Sequence, residues 1–226
     1  FEVNKKSKDN KIKSNLNKKE ILNKAFKYHL KGDVSKAFQY YQLLINQGLK
    51  DERVFSNYGA ILQSQGKLEE AEIYTQKAIE LNPNFVNAHF NLGNILKDIG
   101  KLKTAELSYR KAIELNPNFV NAHFNLGNIL KDIGKEKAAE LSYRKAIKLN
   151  PNYAPANCNL GGILKNIGKL KEAEVYTRKA IELNPNYAAA HSNLGGILIA
   201  LGELKEAEVY VRKTIKLNPN FADAHY

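Results

Sequence analysis

The side chains best able to do chemistry in this chain recur in columns. His89, His123, His191 and His225 share one register at multiples of 34 residues, with Asn157 filling the gap. Two residues further on, Asn57, Asn91, Asn125, Asn159 and Asn193 form an unbroken column. The imidazoles invite a metal reading, but a shared ion needs its nitrogens within about 2.0–2.1 Å. Equivalent positions on stacked helices stand about 10 Å apart, so these histidines are expected to pack, and no metal site is expected. The asparagines differ. In a helix interior the Asn side chain competes for backbone hydrogen bonds, so five in register call for a use. A carboxamide offers one acceptor and two donors and suits a peptide group. The competing account is that they solvate a face or were copied with their surroundings. It explains Asn57 least, because the repeat around Asn57 has diverged elsewhere.

Other chemistry is missing from the sequence. There is no GxSxG, phosphate-binding loop, HExxH or cysteine pair, so we expect neither catalysis nor a cofactor. The one cysteine, Cys158, excludes an internal disulfide.

The columns require elements that repeat. NPNFVNAHFNLGNILKDIGK occurs at 82–101 and again at 116–135. The same 34-residue step relates Pro83, Pro117, Pro151, Pro185 and Pro219, as well as Gly93, Gly127, Gly161 and Gly195. It also relates Ala71, Ala105, Ala139, Ala173 and Ala207. A fixed period of this size marks a solenoid of stacked units. Within residues 86–119, Ala88, Leu92, Ile95, Leu96 and Ile99 trace one apolar helical face. Gly100 supplies a helix end that tolerates left-handed backbone. A second helical pattern runs from Leu102 to Leu115, and Asn116-Pro117 stops it. Gly93, Ala105 and Ala112 let two helices approach closely. Pairs of this kind cannot bury their faces alone, so neighbours must stack. The fold class is all-α, built from antiparallel helix pairs.

At 226 residues, 43% of them hydrophobic, the chain can bury a sizeable core, and no apolar run approaches a membrane span. No membrane contact is expected, and the expected location is the cytoplasm. The chain has no methionine, not even at position 1, which suggests a piece or a processed product of a longer protein. The net charge of +12 raises nucleic acid, but residues 1–24 hold +5 of it. Elsewhere Glu106/Arg110, Glu140/Arg144, Glu174/Arg178 and Glu208/Arg212 stand at i,i+4 in the favourable order, each pair worth about 0.2–0.5 kcal/mol. A nucleic-acid surface wants unpaired basic residues interleaved with aromatics, so nucleic acid is not an expected partner.

The spacing of Leu92, Gly93, Gly100, Ala105, Tyr109, Ala112 and Pro117 resembles the tetratricopeptide repeat. Five full repeats follow at 52–85, 86–119, 120–153, 154–187 and 188–221. A degenerate pair precedes them at 17–51, opened by a capping box of Asn17 and Glu20. Residues 1–16 read as a flexible basic leader, and 222–226 as the start of a truncated further repeat. The resemblance implies a right-handed superhelical solenoid whose first helices face a concave groove, with the asparagine column lining it. An extended peptide at about 3.3 Å per residue advances three residues per repeat, so the column could hold one with little regard to its sequence. Phe90 and Phe124 would then be apolar anchors, replaced later by Cys158 and Ser192. Lys97, Lys131 and Lys165 would favour an acidic ligand, blunted by Asp98 and Asp132. Replacing Asn91, Asn125 and Asn159 with alanine would remove no core contact.

The leading expectation is therefore a module that binds a protein or peptide ligand. Phrases such as NPNFADAHY and AHSNLGGIL are similar to repeats of O-linked N-acetylglucosamine transferases and related bacterial proteins. That similarity implies an alternative, a substrate-presenting arm of a larger transferase. A third possibility is a scaffold that self-associates end to end. Chaperone co-factors of the family clamp a carboxylate with lysine and arginine in the groove. Here those places hold Asn and Ser, Phe or Cys, so that ligand is not expected.

Overall fold

The computed structural model describes residues 17–219, which form helices with no strand among them. The leader at 1–16, the segment 222–226 and His225 lie outside the described residues. The helices are α1 (Lys18–Leu30), α2 (Val34–Asn46), α3 (Glu52–Ser64), α4 (Leu68–Leu81), α5 (Val86–Asp98) and α6 (Leu102–Leu115), then α7 (Val120–Asp132), α8 (Glu136–Leu149), α9 (Ala154–Asn166), α10 (Leu170–Leu183), α11 (Ala188–Leu201) and α12 (Leu204–Leu217). Two compact units meet in sequence at Lys111–Ala112. In the first, α1 packs on α2, α2 on α3, α3 on α4 and α4 on α5, while α3 also touches α5. In the second, α7 packs on α8, α8 on α9, α9 on α10, α10 on α11 and α11 on α12, while α9 also touches α11. Among the described residues no helix is long and apolar enough to cross a membrane.

Local chemistry sets each helix end. Asn17 and Glu20 form the capping box implied by their spacing, through bonds of 2.9 and 3.0 Å. Asp51 caps α3 by accepting from the amides of Arg53 and Val54 at 2.9 and 3.2 Å. From α5 onward the Asn-Pro-Asn turn replaces these caps. The Oδ1 atoms of Asn116, Asn150 and Asn184 accept from the amides of Asn118, Asn152 and Asn186 at 3.1, 3.2 and 3.2 Å, a local Asx turn. Each first helix closes on a left-handed glycine. At Gly134 φ is +76°, which lets the Lys135 amide reach back to the Leu130 carbonyl at 2.7 Å.

The core is made chiefly of alanines, aliphatics and four tyrosines, Tyr58 among them. Ala139, Ala146, Ala173 and Ala180 are fully buried, as are Tyr41, Tyr109 and Tyr143. The first helices approach their partners through glycine. A methyl group built at Gly127 would lie 2.6 Å from Cε1 of Tyr143, and one at Gly93 equally close to Cε1 of Tyr109. The Glu–Arg pairs form as the sequence reading expects, and they also do more. Arg144 bonds Glu140 at 2.8 Å, then reaches the next second helix at Glu172 (2.6 Å) and the Tyr176 hydroxyl (3.1 Å). Arg178 repeats this with Glu174, Glu206 and Tyr210. Arginine's planar fork allows one side chain to serve both repeats.

Candidate functional site

The histidine column serves the turn. Nε2 of His89, His123 and His191 lies 2.8, 2.9 and 2.9 Å from the carbonyl oxygens of Pro83, Pro117 and Pro185. A carbonyl only accepts, so Nε2 carries the proton and donates. Asn157 does the same work, donating from Nδ2 to Pro151 and Tyr153 carbonyls at 3.4 and 3.1 Å. Both residue types fit because both offer an N–H at that reach.

This arrangement gives a pH prediction. Burial holds the pKa of His123 below the ordinary value of 6.5, as it does for His29. The unfolded chain then binds more protons, so stability is full above that ordinary value and is lost as pH falls through it toward the folded value. Replacing His123 with Asn keeps the donor and should cost no more than about 1 kcal/mol at neutral pH. The variant's melting temperature should also fall less than the parent's on acidification from about pH 7.5 to about pH 5.5, near the histidine range. Equal losses in both proteins would rule out His123 as a source of acid sensitivity.

The asparagine column is half-buried, and its amide nitrogens are in use. Nδ2 of Asn57 donates to the Tyr41 hydroxyl at 3.1 Å, and Nδ2 of Asn91 to Ser56 Oγ at 3.0 Å. In the second unit Asn159 donates to Asn128 Oδ1 at 2.8 Å, and Asn193 to the Cys158 carbonyl at 3.2 Å. Each bond ties a first helix to the preceding repeat. The expectation that alanine removes no core contact is therefore corrected at Asn91 and Asn159, each of which would lose a part-buried bond. No hydrogen bond to Oδ1 of Asn57, Asn91, Asn159 or Asn193 is formed among the described residues. Nδ2 of Asn193 also bonds Cys158 Sγ at 3.3 Å, so what these four asparagines offer a ligand is their carbonyl oxygen, one acceptor each.

The aromatic and basic columns separate. Phe124 rests on Tyr143 and Tyr153, with ring centroids 5.9 and 5.1 Å away, and Phe90 rests on Tyr109 at 5.9 Å. Both rings are half-buried and lean on the tyrosines. Lys97 and Lys131 pair with their neighbours Asp98 and Asp132 at 3.5 and 3.9 Å. Of the anticipated ligand-binding residues, the structure gathers Asn159, Asn193, Lys131 and Lys165 around one open cleft of about 290 Å³ in the second unit. Asn57, Asn91, Phe90 and Lys97 belong to the first unit. Phe124 and Asn125 are in the second unit but do not line this cleft.

Residues the sequence reading passed over widen the cleft. Gly162 and Ala189 form part of its wall. In the two preceding repeats the register of Gly162 holds asparagine: Asn94 accepts from the Tyr109 hydroxyl at 2.7 Å and Asn128 from Tyr143 at 2.8 Å. Where the second helix carries Thr177, whose hydroxyl is turned back to the Ala173 carbonyl, or Val211 in place of tyrosine, an asparagine would have no tyrosine hydroxyl to meet, and Gly162 or Gly196 stands there. The signal was the paired change of Tyr and Asn across 15 residues. Cys158 closes the floor, 1% exposed. Burial pushes its thiol up to about 11, so it stays protonated at neutral pH and is a poor nucleophile.

Comparison with known proteins agrees with this architecture. Sequence models described as TPR repeat match 93–134, and those described as tetratricopeptide repeat match 52–85, 74–106, 120–153, 142–175 and 167–226. No curated protein matches the chain. Among solved structures, the chain is 25% identical to YrrB, described as a TPR protein with an unusual peptide-binding site. That match covers 82% of this chain and 95% of YrrB, with a TM-score of 0.69. It is 27% identical to MamA over 74% of this chain and 97% of MamA, at a TM-score of 0.66. PilF of Pseudomonas aeruginosa, at 15% identity, shares the fold with a TM-score of 0.81, over 92% of this chain and 95% of PilF. With a repeat signature running unbroken from residue 52 to residue 226, and helix pairs throughout the described residues, the chain belongs to the tetratricopeptide repeat family.

Proposed function

We propose that this chain is a protein-interaction module, not an enzyme, and that its second unit holds an extended segment of another polypeptide along Asn159 and Asn193. The reading rests on one observation: Asn159, Asn193, Lys131 and Lys165 line a single open cleft. Oδ1 of Asn159 and Oδ1 of Asn193 each accept a peptide N–H. Lys131 and Lys165 add a pull on acidic side chains, strongest at low salt. These groups bind and orient, and the protonated Cys158 adds no nucleophile. YrrB, a similar protein with a peptide-binding site, supports a polypeptide ligand. So does the commitment of Arg144 and Arg178 to glutamates, which leaves them poorly placed for phosphates.

The test is binding of extended peptides, acidic and neutral, to the whole chain. Asn159→Ala with Asn193→Ala should weaken the best binder by about tenfold, as expected for two lost hydrogen bonds at about 0.5–1.5 kcal/mol each. Lys131→Glu with Lys165→Glu should abolish the preference for acidic peptides. Lys131 is 48% exposed, so its change leaves the fold intact. Unchanged affinity in both variants, with melting curves showing them folded, would remove the cleft from consideration.

A further inference from the structure

A second surface, on the other helix of each pair, carries a pattern that packing does not explain. Ile73, Leu107, Leu141, Val175 and Val209 stand at one register of the second helices and are 51, 66, 69, 66 and 62% exposed. The residue changes among Ile, Leu and Val along the row yet stays aliphatic, although solvent would accept any polar side chain there. One turn before and one turn after each, at i−4 and i+4, lies lysine in the second unit: Lys137 and Lys145, Lys171 and Lys179, Lys205 and Lys213. Residues four apart share a helix face, so an aliphatic row on α8, α10 and α12 runs between two rows of ammonium groups. Lys171 and Lys179 pair with Glu203 and Glu182 at 3.0 and 2.7 Å. Lys137, Lys145, Lys205 and Lys213 have no ion-pair partner among the described residues. Beside Val175 a largely apolar depression of about 710 Å³ opens between Ile147, Pro151 and Tyr176, with Asn157, Arg178, Lys179 and Glu182 also lining it.

We propose that this face docks an acidic amphipathic helix of a partner protein. The charge arrangement selects the occupant. Its centre is apolar and electrically neutral, and its flanks are basic at both ends, so a ligand needs an aliphatic spine with carboxylates on either side. A repeat step of about 10 Å matches the rise of seven helical residues, about 10.5 Å. A helix lying along the row therefore places one aliphatic side chain over each second helix. Its neighbouring positions, like the e and g positions of a coiled coil, fall over the lysine rows. The central side chain enters the depression beside Val175. This surface is distinct from the asparagine cleft and does not depend on it.

The experiment uses the whole chain and a fluorescent synthetic peptide of three heptads, with leucine at every seventh position and glutamate on both flanks. A matching peptide has lysine in place of glutamate. The glutamate peptide should bind, less tightly as salt rises, and the lysine peptide should not. Leu141→Asp with Val175→Asp should weaken binding by about tenfold or more, given the apolar area each side chain buries. Reversing Lys137, Lys145, Lys205 and Lys213 to glutamate should transfer binding to the lysine peptide, a gain that misfolding cannot produce. Asn159→Ala with Asn193→Ala should leave the affinity unchanged. Three results would overturn the proposal: no binding of the glutamate peptide, binding indifferent to these changes, or the same residues capturing phosphatidylserine vesicles while the peptide fails. The last would assign the face to a lipid surface.

Discussion

Tyr143→Ala should lower the free energy of unfolding by about 3–5 kcal/mol, the range for deleting a buried aromatic side chain. The ring is fully buried and lies against Gly127 on the facing helix, where nothing larger than hydrogen separates ring from backbone. Burial raises the hydroxyl's pKa, so it stays protonated and donates to Asn128 Oδ1 at 2.8 Å. The same oxygen accepts from Asn159 at 2.8 Å. Alanine would open a void and leave Asn128 half-satisfied, loosening the asparagine on which the cleft depends. Tyr143→Phe separates the two losses. It keeps the ring and removes one hydrogen bond, for about 1 kcal/mol. Urea denaturation followed by circular dichroism measures both. If alanine costs no more than phenylalanine, the helices have closed over the gap and the ring does not set their separation. The fourth full repeat shows that closure has requirements. There Thr177 is buried at this register, its hydroxyl donates back to the Ala173 carbonyl at 2.8 Å, and Gly161 comes up against it.

The difference between what was legible in the sequence and what was not follows from the range of the interactions. The helix pairs, the left-handed glycines and the Asn17–Glu20 capping box are local, each written within a few residues, and the 34-residue period repeats them until they stand out. The task of the histidines is nearly as local: Pro117 precedes His123 by six residues, and the bond follows once the turn is known. The asparagine column is another matter. It looks uniform in the sequence, yet Asn57 bonds a tyrosine, Asn91 a serine, Asn159 an asparagine and Asn193 a backbone carbonyl. Those partners lie 16 to 35 residues away and change from repeat to repeat, so no spacing rule announces them. Arg144 and Arg178 were readable as i,i+4 partners, but their second bonds, 28 residues on, belong to the stack. The aliphatic row on the second helices was present in the sequence too. Only its exposure distinguishes it from core, and exposure depends on which way each helix turns.

Gly127→Ala should cost about 3 kcal/mol, at the upper end for overpacking a core, although alanine is the better helix former by about 1 kcal/mol. The added methyl would stand 2.6 Å from Cε1, 2.7 Å from Cδ1 and 3.0 Å from Cζ of Tyr143, and a ring buried on every side has nowhere to swing. Gly134→Ala makes the contrast. Nothing lies within 4 Å of its added methyl, but φ is +76°, so its cost of about 1–2 kcal/mol is that of left-handed backbone alone. The two glycines therefore respond differently to the ring. In a Tyr143→Ala background the void receives the new methyl, and Gly127→Ala should become nearly neutral, a coupling of about 1–3 kcal/mol between residues in contact. Gly134→Ala should cost the same in either background. Four denaturation curves for the Gly127 cycle and two for the Gly134 control decide it. If Gly127→Ala costs as much without the ring as with it, the close approach of α7 and α8 is set elsewhere, and the tyrosine only fills the space they leave.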